Sequence, residues 1–370
     1  MQFLNGDIHD FRTALKSKQL VCFGAGQVLR NFIEEYAIYH LEQDILCIAD
    51  NRNEWLPAKI RIVETEIPII GIGQLLCMKN IMIMISCRAV ADVYEQLEGY
   101  QELKETPCWA ANFIRSETRL QLEQSRWYPS EYRLTKEALI PKKIHYCWFG
   151  RKPIPKKNLE WMESWRKYCC GYEIIQWNED NYDVTKNAYM YEAYKAGKWG
   201  FVPDYVRLDV IYRYGGIYLD TDVELIRNLD DLLYQKAFAG IDRSRDISLG
   251  LGFGAQLGCE IIRELRDFYD TCKFLNGDGS YNLKAAPFIH RSFFQEKGYI
   301  NNGEYQVVEE MTIYPEKVLS PKCNWTGRVL PTAHTFAIHH YDGSWTSESD
   351  RDIVKRNREL YMKICRNGKR

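Results

Sequence analysis

No apolar run in this chain is long enough to cross a bilayer. The longest, Ile67–Ile72 and Ile81–Ile85, fall far short of the roughly 20 residues a membrane-spanning helix needs. The opening MQFLNGDIHDFR is polar and has no apolar core, so no secretory leader is expected there. Excess charge of one sign is also missing. Lysine and arginine number 49 against 50 aspartates and glutamates, a net charge of -1, which argues against nucleic-acid binding as a property of the whole chain. Twelve cysteines are present, but none is spaced CxxC, and Cys22 and Cys47 lie inside apolar runs. That pattern excludes a zinc or disulfide framework and fits reduced, buried thiols. Internal repeats and low-complexity tracts are absent. Together these absences predict a soluble, cytoplasmic protein.

What is present begins with size. A chain of 370 residues exceeds the roughly 250–300 at which single cores stop growing, so two domains are expected. Residues 1–115 alternate strand and helix, as a small parallel sheet with flanking helices would. Leu20–Phe23 reads as a strand, Gly24, Ala25 and Gly26 as a turn, Gln27–His40 as a helix, Ile45–Ala49 as a strand ending in Asp50, and Ile81–Ile85 as another strand. Two glycines between strand and helix with a later acidic residue resemble half of a dinucleotide-binding fingerprint. Leu29 stands where that fingerprint has its third glycine, so the reading is a Rossmann-like domain whose glycine loop is only a turn. Residues 116–138 are charge-rich, from Glu117 and Arg119 to Glu123 and Arg126, and read as a solvated connecting helix and linker.

The second domain, 139–346, opens at Ile140. Ile144–Phe149 is an aromatic-rich strand, followed by a helix around Leu159–Tyr168, a strand around Tyr172–Trp177 and a helix around Ala188–Ala196. Next comes PDYVRLDVIYRYGGIYLDTDVE, Pro203–Glu224. Pro203 suits a first helical position. Leu208, Ile211 and Tyr212 share one face, and Val206, Val210 and Tyr214 another, so the helix is buried and its polar residues need partners. Asp204 and Arg207 share a face, and Asp209 and Arg213 can pair along the helix. Gly215 and Gly216 end it. Ile217–Leu219 reads as a buried strand with Asp220, Thr221 and Asp222 at its exit.

Side chains two apart on a strand lie on the same side, about 6.6 Å apart along the backbone. Two such carboxylates can converge on one hard divalent ion that shares its shell with substrate phosphates. Spacing alone is weak. Asp350 and Asp352 repeat it in what reads as a solvated helix start. A calcium loop fits poorly, because Leu225 occupies the position of its glycine.

The ordered string Asp204, Arg207, Gly215, Gly216, Ile217, Tyr218, Leu219, Asp220 and Asp222 resembles the signature of the glycosyltransferase family with a DXD-containing sugar-binding region. That family includes bacterial capsule and lipopolysaccharide transferases and Golgi mannosyltransferases, and is distantly similar to glucosylating toxins. The resemblance implies an α/β fold: a GT-A-type nucleotide-diphospho-sugar transferase domain preceded by the smaller Rossmann-like domain. It implies a retaining, Mn2+- or Mg2+-dependent transfer in surface polysaccharide biosynthesis. The donor would be a UDP-sugar, with a GDP-sugar as the alternative, and the acceptor a glycan or lipid-linked molecule. Asp204 and Arg207 would hold hydroxyls of the donor sugar, with Tyr218 beside them, and Asp220 and Asp222 would hold the metal. Trp148 would lie against the nucleotide base. Pro203 replaces the family's usual serine.

The segment TFAIHHYDGSW, Thr335–Trp345, resembles the family's closing strand and loop, in which a histidine joins the metal while Ser344 and Trp345 approach the diphosphate. His339 and His340 point to opposite faces of a strand, so one of them reaches the site; the resemblance favours His339. Elsewhere, Leu225–Leu233 reads as a polar-rimmed helix, Phe238–Ile241 as a strand, Glu260–Thr271 as a helix, and the glycines at 250, 252 and 254 as a flexible loop over the acceptor side. The tail, 347–370, reads as a C-terminal basic helix docked on the catalytic domain; its sharper reading is peripheral attraction to anionic membrane. Two other classes stand beside the transferase: an NAD-dependent sugar-nucleotide oxidoreductase or epimerase using the N-terminal glycine turn, and a non-catalytic sugar-nucleotide binding protein.

Overall fold

The computed structural model describes residues 1–124, 126–343 and 346–367. They divide into two compact units, Met1–Arg126 with Cys323–Gly327 and Thr346–Arg370, and Trp127–Lys322 with Arg328–Trp345.

The first unit is a twisted α/β sheet. Its elements are β1 (Gln2–Phe3), α1 (Ile8–Leu15), β2 (Gln19–Phe23), α2 (Gln27–Glu35), β3 (Ile45–Ala49), β4 (Lys59–Ile62), β5 (Thr65–Ile70), α3 (Ile72–Leu76), β6 (Ile81–Ile85), α4 (Val90–Glu98), β7 (Pro107–Ala110) and α5 (Ala111–Gln124). The strand order is β1-β7-β6-β2-β3-β5-β4, parallel throughout except for the β4/β5 hairpin. Helices on both faces of a parallel sheet explain why β6, Ile-Met-Ile-Met-Ile, is buried at every position. The helix after the glycine turn ends at Glu35, and a short 3₁₀ segment, Ala37–Tyr39, replaces its expected last turn. Gly24 adopts φ +111°, and a side chain there would press on Cys87 and on the Ser86 carbonyl. At the turn, Asp50 accepts the Ala25 N–H at 3.0 Å and pairs with Arg52 through two N–H groups at 3.0 Å. The carboxylate that a dinucleotide reading would offer to a ribose is thus engaged by its own chain. Leu29 is fully buried, packing where a third glycine would have let helix and strand approach more closely.

The first part of the segment read as a solvated connector, residues 116–124, belongs to α5, a helix of this unit. Its Thr118 hydroxyl accepts the Ile8 N–H at 2.8 Å, and Arg115 and Arg119 both pair with Glu35. The charge pattern hid this because those charges are satisfied inside the unit. The C-terminal helix α12 (Glu348–Asn367) groups with this unit, together with Cys323–Gly327, where Arg358 donates to Asn324. Its Tyr361 ring meets Phe113 edge-on at 5.0 Å, and Arg356 pairs with Asp92 and Glu95 of α4. Asp350, at the start of α12, pairs with Arg88 at 2.9 Å.

Buried Asn357 of α12 does for α4 what its own Ala89 N-cap has no side chain to do. Its side-chain oxygen accepts the Ala91 N–H at 2.9 Å while its amide donates to the Arg88 carbonyl at 2.7 Å. Asn357→Ala strands both backbone groups, so the first unit should lose about 1–3 kcal/mol. Urea unfolding and faster hydrogen exchange at the Ala91 amide measure the loss; unchanged exchange there would refute the capping role.

The second unit contains β8 (Lys143–Cys147), α6 (Lys156–Tyr168), β9 (Glu173–Trp177), α7 (Ala188–Lys195), α8 (Pro203–Tyr214), β10 (Gly216–Tyr218), β11 (Val223–Leu225), β12 (Ala237–Gly240), β13 (Phe253–Ala255), α9 (Glu260–Phe268), α10 (Ala286–Glu296), β14 (Gln306–Val308), β15 (Met311–Tyr314), α11 (Glu316–Leu319) and β16 (Ala337–His339). Its main sheet has the order β14-β15-β12-β13-β10-β8-β9. The run β9, β8, β10 is parallel, and β13 joins it antiparallel. A separate antiparallel pair, β11 with β16, sets Val223 opposite His339. The fold is α/β, as the sequence implied. Two expectations change. Leu225–Leu233 is no helix; Leu225 ends β11, and only Asp230–Leu233 forms a 3₁₀ turn. The glycines 250–254 are not a flexible loop, because Gly250 lies in a buried 3₁₀ turn and the other two in or beside β13, where a side chain on Gly254 would meet the Phe238 ring at 2.7 Å.

Candidate active site

The site grows from α8. Every residue from Asp204 to Ile211 is buried, so the helix is fixed on all sides, and its charged groups find partners inward. Arg207 is 5% exposed. Its guanidinium reaches Asp204 at 3.3 Å and Asp220 at 3.5 Å, its Nε donates to the Pro203 carbonyl at 3.1 Å, and the Tyr218 ring lies beneath it at 4.9 Å. Asp209 takes the Tyr182 hydroxyl at 2.8 Å and Arg213 at 3.2 Å, so the expected pair along the helix forms.

The double glycine turns the chain from α8 into β10. Gly215 and Gly216 adopt φ +61° and +109°, conformations that disfavour a side chain. A Cβ on Gly215 would lie 2.8 Å from Pro141, and one on Gly216 2.9 Å from Lys143. Beneath them His145, fully buried, accepts the Trp177 indole N–H on Nδ1 at 3.0 Å and therefore donates from Nε2 to the Gly215 carbonyl at 2.9 Å. Burial pushes its pKa down to about 4, keeping it neutral.

Asp220 and Asp222 lie in the turn between β10 and β11, not on an extended strand. The Val223 N–H closes that turn on the Asp220 carbonyl at 3.1 Å, so the carboxylates converge through the bend instead of by strand alternation. β16 then brings up the histidine. His339 Nε2 lies 3.2 Å from Asp222, whose other oxygen accepts the Asp342 N–H at 2.8 Å. His340 turns away, stacking on Trp161 at 4.1 Å and meeting Glu224 at 2.8 Å. One ligand atom from each of Asp220, Asp222 and His339 lies within 4.8 Å of the other two.

The charges there are unbalanced. Burial raises the Asp220 pKa; Arg207 lowers it, but neighbouring Asp222 raises it again, and the net shift is upward. Burial would raise Asp222 too, yet His339 and the Asp342 N–H outweigh it and hold it down at about 2. His339 is pulled down by burial, but Asp222 and Asp220 prevail and raise it. Asp204 is raised to about 7 by burial, with Arg207 opposing and Asp220 adding. Two carboxylates and an imidazole with excess negative charge form a donor set that suits a divalent cation such as Mn2+ or Mg2+.

The other expected residues fall as follows. Trp148 is half-buried just past the carboxyl end of β8, with its indole N–H on the Lys152 carbonyl. Tyr218 is buried beneath Arg207, a support more than an exposed contact. Ser344 and Trp345 lie outside the described residues.

Sequence reasoning missed four supports. His145 props the glycine turn; its place in an apolar strand marked it as a buried polar group needing partners. The Tyr189 hydroxyl donates to Asp204 at 3.4 Å. Asn158 of α6 donates to Thr221 between the two aspartates at 3.1 Å. Gly250 accepts the Asp220 N–H on its carbonyl at 3.3 Å, and a Cβ there would overlap the Asp220 carboxylate and approach Arg207 at 3.3 Å. No local signal marks that glycine.

Residues 155–239 match the family described as the glycosyltransferase sugar-binding region containing the DXD motif. That segment is similar to the sugar-binding region of the DXD-containing glycosyltransferases. Over 163 residues it is 30% identical to inositol phosphoceramide mannosyltransferase 3 of Schizosaccharomyces pombe, covering 42% of this chain and 45% of that protein. It is 28% identical over 127 residues to subversion of eukaryotic traffic protein A of Legionella pneumophila, covering 26% and 19%. It is 30% identical over 103 residues to the uncharacterized glycosyltransferase L373 of Acanthamoeba polyphaga mimivirus, covering 26% and 40%. The chain thus spans less than half the length of these relatives. The solved PaToxG glycosyltransferase is similar at 18% identity and a TM-score of 0.36, over 50% of this chain and 79% of that one; at that level the likeness carries no argument.

Gly250→Ala should move Asp220 without disturbing the sheet. Release of nucleotide from a sugar-nucleotide donor should fall by about 100-fold while circular dichroism stays that of the wild type. Full activity in this variant would mean that Asp220 is not held where the structure puts it.

Proposed function

We propose that this chain is a divalent-metal-dependent glycosyltransferase that moves a sugar from a nucleoside-diphosphate sugar to an acceptor hydroxyl, with retention at the anomeric carbon. The observation that carries the reading is the convergence of Asp220, Asp222 and His339 beside the buried Asp204–Arg207 pair. Asp220, Asp222 and His339 would hold the ion, which when bound supplies positive charge to the departing diphosphate. Arg207 and Asp204 would donate to and accept from hydroxyls of the donor sugar and fix its orientation. Arg207, locked on the Pro203 carbonyl and over Tyr218, offers its charge without reorganising during the reaction. Trp148 offers an aromatic face toward a base, with a UDP-sugar favoured over a GDP-sugar.

Chemically, the bond from the anomeric carbon to the phosphate oxygen breaks, the acceptor oxygen bonds to the same face of that carbon, and the acceptor proton passes to the departing phosphate. Front-side attack of this kind needs no protein nucleophile. The name of the Schizosaccharomyces pombe relative, a mannosyltransferase of inositol phosphoceramide, supports a lipid acceptor.

The test is nucleotide release from a panel of sugar nucleotides with manganese or magnesium. The wild type should release nucleotide, and Asp222→Asn should lose about 100-fold or more; donor binding without release in the wild type would leave a binding protein instead.

A pH experiment probes the ligand set separately. His339 must lose its proton to bind an ion, and its pKa is raised, so protons compete with metal below that pKa. Metal affinity by calorimetry should be flat above it and fall by up to about tenfold per pH unit below it. His339→Ala should weaken binding and flatten the dependence, whereas His340→Ala should leave it unchanged. The reverse result would make His340 the ligand.

A further inference from the structure

The chain leaves β8 at Trp148 and returns to regular structure as α6, whose first turn lies against the turn carrying Asp220 and Asp222. β8 and β10 are parallel neighbours, so their carboxyl ends share one edge of the sheet. The loop between β8 and α6 is pinned: the Trp148 indole donates to the Lys152 carbonyl, and the Gly150 N–H donates to Glu179 at 2.6 Å. A side chain on Gly150, at φ +92°, would meet the Trp199 ring at 2.9 Å. α6 then runs beside β11, with the Trp165 indole on the Val223 carbonyl and the Leu225 N–H on the Ser164 hydroxyl, both at 2.8 Å. These bonds fix where the helix begins.

That beginning is uncapped. Pro155, the N-cap residue, offers no side-chain acceptor, and the first turn carries no acid. The Asn158 and Leu159 N–H groups turn back to the Pro155 carbonyl at 3.0 and 3.1 Å, while those of Lys156 and Lys157, both exposed, have no partner among the described residues. The lysine side chains are not the source of attraction, since Lys156 meets Glu160 at 3.9 Å and Lys157 pairs with Asp342 at 2.9 Å. What remains for an anion is backbone: two N–H groups at the positive end of a helix of 13 residues.

Asn158 is an independent sign of a ligand there. It is 2% exposed, its amide donates at 3.1 Å to Thr221 between the two aspartates, and its Oδ1 has no hydrogen-bond partner. A buried carboxamide with one atom unused costs stability unless something completes it. Turned over, it accepts the Thr221 hydroxyl proton and presents its two N–H donors at the seam between α6 and the Asp220–Asp222 turn.

We propose that the first turn of α6 is a second anchor for the donor diphosphate, with the Lys156 and Lys157 N–H groups and the Asn158 carboxamide donating to phosphate oxygens. A phosphate suits donors spread over one helical turn because it offers several acceptor oxygens and full negative charge to the helix terminus. The inference rests on the glycosyltransferase reading, which supplies the diphosphate, and adds to it an anchor that shares no residue with the metal set.

Calorimetry of the full chain with UDP and with GDP, manganese present, reads the anchor directly. Pro155→Asp places a carboxylate on the free N–H groups as a cap. Lys156→Pro removes one of those groups at the helix position where proline fits, and Pro155 already has the extended ψ of 142° that a following proline requires. Each variant should weaken nucleoside-diphosphate binding by about tenfold. The melting temperature should stay level or rise, and manganese affinity measured without nucleotide should not fall. The inference fails if both variants bind nucleotide as the wild type does. It fails as well if nucleotide binding falls only together with the melting temperature and manganese affinity, which would make this turn structural. A wild type that binds neither UDP nor GDP would instead sink the donor reading itself, so the wild-type titration tells the two failures apart.

Discussion

A guanidinium held out of water between two carboxylates is the constraint around which the second unit is arranged. Arg207 could not be buried without Asp204 and Asp220, and removing either would leave charge uncompensated at a cost of about 3–5 kcal/mol. Replacing such a buried charged set by apolar residues is often neutral or stabilising, so stability alone does not account for these three side chains. Much of the surrounding structure serves to hold this group: α8 is buried on every side, Tyr218 lies under the guanidinium, and Tyr189 caps Asp204.

The second arrangement concerns where negative charge may gather. Asp220 and Asp222 are neighbours whose pKa values are pushed in opposite directions, one up by burial and its partner, the other down by His339. The same two carboxylates raise the pKa of His339 against its burial. The same end of the sheet receives the glycine-rich segment after β12, where a bare Gly250 lets the backbone approach Asp220. Binding chemistry and backbone geometry meet at that point.

Much of this was legible beforehand. The alternation of strand and helix, the buried character of α8, its Asp209–Arg213 pair and the boundaries of β3 and β6 follow from local periodicity, which acts over a few residues. The readings that failed were those in which local pattern competes with distant partners. The charges of α5 looked solvated because Glu35, their partner, is far away in sequence. Basic α12 was expected against the second domain or a membrane, and its Arg356 pairs instead with Asp92 and Glu95 of α4, about 260 residues earlier. The glycines near 250 looked flexible because nothing nearby in sequence reveals that Asp220 and Phe238 crowd them.

By itself the sequence determined that a buried helix carrying Asp204 and Arg207 would turn through two glycines into a short strand ending in two aspartates, since propensity, burial pattern and chain reversal are properties of neighbouring residues. Tertiary structure alone decided which histidine joins them. Alternation along β16 says only that His339 and His340 diverge; the register that pairs Val223 with His339 turns one imidazole to Asp222 and the other to Trp161. Register is set by pairing between strands remote in the chain, and no local pattern encodes it.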